Sequence, residues 1–110
     1  MPFFVIDEQP EKQIFDSAAI RTLHGEKIMM SFVNLQPHSI VEEHSHPHEQ
    51  MDMVLEGTFE LSIDGEARIL KKGDAYLIPS NVKHSAKAFD EPAVALDIFS
   101  PPREDYKACS

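Results

Sequence analysis

The sequence predicts an all-β domain, closed or double-sheeted, and three observations carry that prediction. Apolar and polar residues alternate through most of the chain, which is the two-residue period of half-buried strands. Turn residues interrupt the alternation at intervals of about 8–12 residues, the spacing of sandwiches and barrels. An Asp-Gly pair lies between two alternating runs, and such a pair is a strong hairpin signal.

The elements follow in chain order. PFFVI, residues 2–6, reads as an apolar N-terminal strand with no obvious partner. EKQIFDSAAIR, residues 11–21, is the one stretch that could pass for a helix, and its pattern is poor. KIMMSFVNLQ runs to Pro37, QMDMVLE to Gly57, DAYLI to Pro79 and AVALDIFS to Pro101-Pro102. In TFELSIDGEARIL, Phe59, Leu61 and Ile63 alternate with polar residues; Asp64-Gly65 turns the chain, and Ala67 and Ile69 resume the pattern. A type I′ turn needs positive φ at both central residues, which Asp and Gly tolerate. About eight short strands are expected, in a single domain spanning residues 1–110.

Composition narrows the function classes. Hydrophobic residues make up 42% of the chain and charged residues 26%, the balance of a soluble globular domain. A net charge of -9 argues against nucleic acid or an anionic membrane as partner, since both require a basic surface. The opening residues show no basic n-region or apolar h-region, and no apolar run approaches a membrane span. The single Cys109 cannot form an internal disulfide, and a reducing cytoplasm fits.

Three of the six histidines fall within HSHPHEQ, residues 44–50. In an extended segment His44 and His46 point the same way, and a His-x-His pair offers two nitrogen donors to one ion. Pro47 interrupts the strand, so the register of His48 and Gln50 is open. A second stretch, GDAYLIPSNVKHSA, closes a strand at Pro79 and begins another at His84.

Together these stretches resemble the cupin superfamily. His44, His46, Gln50 and Gly57 match its first motif (His-x-His-x3-Glu-x6-Gly, about 44–57), and Gly73, Pro79, Asn81 and His84 its second (about 73–84). Two positions depart from the pattern. Gln50 replaces the usual Glu, which leaves the site one negative charge short, and Asn81 replaces the usual Gly. Asn tolerates the left-handed backbone, so the second change costs little. The resemblance implies a double-stranded β-helix, or jelly-roll, barrel. It further implies one divalent transition metal ion (Ni, Zn, Fe, Mn or Co) on His44, His46, Gln50 and His84. His48 is then expected at the rim, with His24 and His38 as solvated turn residues.

The C-terminal LDIFSPPRED, with HSHPHEQ and VLEG, is similar to the KdgF-like cupins of pectin and alginate breakdown. Their enzymes promote ring opening of 4,5-unsaturated uronates. The resemblance implies functional roles for Asp97, Phe99 and Arg103. Residue parity agrees in part: Asp97 shares a strand face with Ala93, Ala95 and Phe99, and an acid there is costly unless paired or used. Arg103 follows a rigid Pro-Pro turn that could swing it over a barrel mouth, or it could pair on the surface with Glu104 or Asp105.

The expected function is therefore a cytoplasmic, metal-dependent enzyme acting on a small carboxylate, a sugar acid. Asp97 would move protons, Arg103 would grip the substrate carboxylate and Phe99 would shape the pocket. The alternatives are an oxygen-dependent cupin dioxygenase and a non-catalytic binding protein. Met51, Met53 and Leu55 lie opposite Gln50 and, with the N-terminal strand, suggest a homodimer.

Overall fold

The computed structural model describes residues 3–15 and 18–107; Cys109 lies outside them. Among the described residues, ten strands form two antiparallel sheets, a jelly-roll barrel, and helix is scarce. One sheet has the order β1-β2-β3-β10-β5-β8: β1 (Lys12–Ile14), β2 (Ala18–His24), β3 (Met29–Leu35), β10 (Ala93–Ser100), β5 (Glu49–Glu56) and β8 (Ala75–Ile78). The other has the order β4-β9-β6-β7: β4 (Ile40–His44), β9 (His84–Ala88), β6 (Thr58–Ile63) and β7 (Glu66–Lys71). A single-turn helix, α1 (Glu104–Lys107), follows the last strand.

Alternation dictates what each strand buries. In β3, Met29, Ser31, Val33 and Leu35 face inward; in β5, Gln50, Asp52 and Val54 do. Ile20, Val33, Leu35, Val54, Phe59, Leu61 and Ala95 belong to the apolar core between the sheets. Phe59 is 1% exposed, so truncating it to Ala should cost about 3–5 kcal/mol. Two turns show why their residues are needed. Asp64 and Gly65 have φ of 50° and 83°, as the hairpin turn requires. Gly57 has φ of 77°, and a Cβ there would meet the Pro92 carbonyl oxygen at 2.5 Å.

One expectation needs correction, and one open stretch is decided. Residues 3–5 are not a strand: Phe3, Phe4 and Val5 are exposed and lead into a 3-10 helix at Ile6–Glu8. Among the described residues no strand pairs with this segment, so although Val5 has extended backbone angles there is no ladder to make it a strand. The 11–21 stretch contributes β1 and part of β2, not a helix, because Ala18, Ile20 and Thr22 bury one face while pairing with β3.

The registers place five inward side chains in one row across the large sheet: Thr22, Ser31, Asp97, Asp52 and Tyr76 on β2, β3, β10, β5 and β8. The neighbouring row, Ile20, Val33, Ala95 and Val54, is apolar. A line of polar groups thus crosses the barrel between its apolar core and the histidines.

Candidate metal centre

His44 ends β4 and His84 begins β9, and the two are register partners across that ladder. His46 is not in a strand, contrary to the extended reading of residues 44–46, because β4 stops at His44. Its position comes instead from a cross-link between the two motifs. Asn81, at φ of 65°, donates its backbone N–H to the His46 carbonyl at 2.7 Å. The left-handed turn expected of Asn81 therefore holds the loop that carries His46.

The three rings converge, with centroids 4.2 Å apart for His44 and His84, 4.9 Å for His46 and His84, and 5.9 Å for His44 and His46. Each also has its Nδ1 anchored to a backbone carbonyl. Nδ1 of His44 lies 2.8 Å from the Glu42 carbonyl oxygen, that of His46 3.1 Å from His48, and that of His84 2.9 Å from Val82. A carbonyl only accepts, so Nδ1 of His44 and His84 carries the proton and Nε2 keeps its lone pair for an ion, whereas His46 faces an acceptor oxygen at both ring nitrogens, the His48 carbonyl and Gln50 Oε1. Burial lowers the pKa of His46, with the Arg103 charge adding to it, and burial lowers His84 to about 4. Both rings are neutral near pH 7, as metal ligation requires.

Gln50 sits beside them, buried, with Oε1 3.0 Å from His46 Nε2. Two donors bound to one zinc-sized ion lie roughly 3–3.4 Å apart, given bond lengths near 2.0–2.2 Å. The spacing fits a shared ion. One ligand atom from each of His44, His46 and His84 lies within 4.8 Å of the others, so the residues present suit a metal. His48 lies outside this group, edge-on to His46 at 5.4 Å. His24 is exposed, and His38 pairs with Asp90 at 3.4 Å.

A cavity of about 70 Å³ opens beside the histidines, with Gln50, Tyr76, Asp97, Phe99, Arg103 and Tyr106 among its walls. Phe99 packs edge-on to His46 at 5.7 Å. Arg103 lines the cavity and also pairs with Asp105. Its Nη2 and Nε contact the Asp105 carboxylate at 2.9 and 3.3 Å. Its guanidinium lies 3.9 Å from the Tyr106 ring centroid and 5.3 Å from that of Phe99. Those contacts fix the plane of the guanidinium.

Sequence reasoning missed Asp52, Tyr76 and Tyr106. Asp52 is 3% exposed and receives N–H bonds from Gln50 Nε2 at 2.6 Å and Ile98 N at 3.3 Å. Its carboxyl also hydrogen-bonds those of Asp97 and the Tyr76 hydroxyl. Burial, then the facing Asp97 charge, raises Asp52; burial raises Asp97 to about 6. The parity of Asp52 with Gln50 was the available signal, since an acid on an inward face asks for a partner.

A cupin domain model matches residues 31–99. The chain belongs to the cupin family. This cupin is 36% identical over 106 residues to the pectin degradation protein KdgF of Dickeya dadantii, covering 94% of this chain and 96% of that one. Among solved structures, KdgF from Halomonas sp. superposes with a TM-score of 0.88 at 29% identity, over 96% of this chain and 97% of that one. An RmlC-like cupin from Shewanella frigidimarina reaches a TM-score of 0.90 at 26% identity, over 96% of both chains. No helix of this cupin is long and apolar enough to cross a membrane, among the described residues.

Proposed function

We propose that this cupin is a metal-dependent enzyme that opens the ring of 4,5-unsaturated uronates, with His44, His46, Gln50 and His84 as metal ligands. The observation that carries the reading is the meeting of three elements around one cavity: the histidine cluster, the Asp97 carboxyl and the Arg103 guanidinium. The similarity to pectin degradation proteins supports the substrate class.

When bound, the divalent ion supplies Lewis-acid polarisation of a substrate oxygen. The chain's own residues do the rest. Ring opening breaks a C–O bond, turns the hemiacetal carbon into a carbonyl and leaves an enol that becomes a ketone. It is an isomerisation, so protons move but no electrons leave the substrate. Asp97, raised to about 6, can both give and accept a proton near neutral pH. Arg103 presents its fork to the uronate carboxylate, and Phe99 and Tyr106 hold that fork in place.

The test is a spectroscopic assay of unsaturated galacturonate and guluronate with purified, metal-loaded protein, in air and under nitrogen. The conjugated chromophore should disappear at the same rate in both. Turnover that requires oxygen would assign the protein to the dioxygenases instead, and binding without turnover would make it a binding protein.

A further inference from the structure

Gln50 has two chemically different ends, and only one of them can face an ion. A side-chain amide carries an acceptor oxygen and a donor nitrogen of nearly equal size, so shape alone does not choose its orientation. Here the choice is made by a neighbour. Gln50 Nε2 lies 2.6 Å from Asp52 Oδ2, and Oε1 is turned toward His46. Asp52 is itself immobilised, by the Ile98 N–H on β10 and by the Tyr76 and Asp97 side chains.

We propose that Asp52 is a positioning residue for the metal centre, accepting the Gln50 amide N–H and so aiming Oε1 at the site bounded by the histidines. The inference rests on the reading of His44, His46, Gln50 and His84 as metal ligands. It also accounts for an amide where the first cupin motif usually carries Glu. A Glu at position 50 would remove the N–H from the 2.6 Å contact, and only a carboxyl proton, which Asp52 already shares with Asp97, could replace it. Gln50 and Asp52 are a matched pair. The complementary pair is Glu with Asn, whose amide would donate in the opposite direction.

The matched pair makes a prediction about sign. Zinc affinity is measured by chelator competition on metal-stripped wild type, Asp52→Asn, Gln50→Glu, the Gln50→Glu/Asp52→Asn double variant, Asp52→Leu and His84→Ala. Asp52→Asn should not tighten binding when residue 50 is Gln, but should tighten it about tenfold when residue 50 is Glu. Asp52→Leu, which removes the acceptor, should weaken wild-type binding by about 10–100-fold. If Asp52→Leu does not fold, the near-isosteric Asn variants decide alone. A merely structural Asp52 would shift both Asn comparisons in one direction, or neither, and either result overturns the proposal. His84→Ala separates the two readings. If it binds zinc as tightly as wild type, the metal-site assignment fails; if it loses zinc while the Asn comparisons agree in sign, only the positioning role of Asp52 fails.

Discussion

Asp97 and Asp52 face each other across the β10–β5 ladder, with their carboxyls hydrogen-bonded inside the barrel. Two carboxyls can make that bond only while they hold a proton between them. The pair therefore titrates as a unit, and Asp97 is the member that lines the cavity.

A group that moves a proton acts in the transition state. Asp97→Asn should lower kcat on unsaturated uronates by roughly 10²–10⁴, with metal content unchanged. Steady-state kinetics alongside elemental analysis checks this. Near-wild-type turnover would make Asp97 a structural acid.

Arg103 grips a carboxylate that is present in ground and transition states alike, so Arg103→Ala should mainly raise KM. Arg103→Lys should recover only part of the loss, because an ammonium lacks the fork that Asp105 orients. Asp105→Asn should also raise KM, by less than Arg103→Ala. An effect confined to kcat would place Arg103 elsewhere in the mechanism.

His84→Ala should strip the metal from protein purified without added ions, and His24→Ala should not. Mass spectrometry of metal content after dialysis is the readout. Full occupancy in His84→Ala would remove the second motif from the site.

Stability of the metal-free protein should depend on pH with a definite sign. Asp52 is raised from 3.8 to about 10, so the folded state holds an extra proton across that window and stability falls as pH rises through it. His84, lowered from 6.5 to about 4, acts oppositely, adding stability as pH rises between those values. Above pH 6.5 the histidine contribution is complete and the carboxyl contribution remains. The melting temperature should fall from pH 7 to pH 9, at most by the equivalent of about 1.4 kcal/mol per pH unit. Asp52→Asn should flatten the slope, as thermal melts with a chelator would show.

Met51 and Met53 are 57% and 43% exposed on the outer face of β5, next to Leu77 at 43% on β8. This apolar patch should associate in a homodimer. Sedimentation should show twice the 12.4 kDa chain mass at tens of micromolar, and Met51→Lys/Met53→Lys should yield monomer. A wild-type monomer at that concentration would dismiss the idea.

The strands and the Asp64-Gly65 turn were legible in the sequence because each rests on short-range spacing, and the meeting of His44, His46 and His84 because they fall in two spaced motifs. Alternation, positive φ and a two-residue histidine pitch are properties of neighbours along the chain. The stretch that misled, whose described residues begin at Phe3, and the one left open, described at 11–15 and 18–21, depend on whether another strand lies beside them. β2 gained a partner in β3, whereas residues 3–5 pair with no strand among the described residues. The site's polar partners were decided by tertiary structure alone. Asp52 meets Ile98, 46 residues further on, and Tyr76 meets Asp52 because β8 pairs with β5. Whether a buried acid is neutral or charged, and which way an amide points, depends on partners that only the closing of the barrel brings within hydrogen-bond reach.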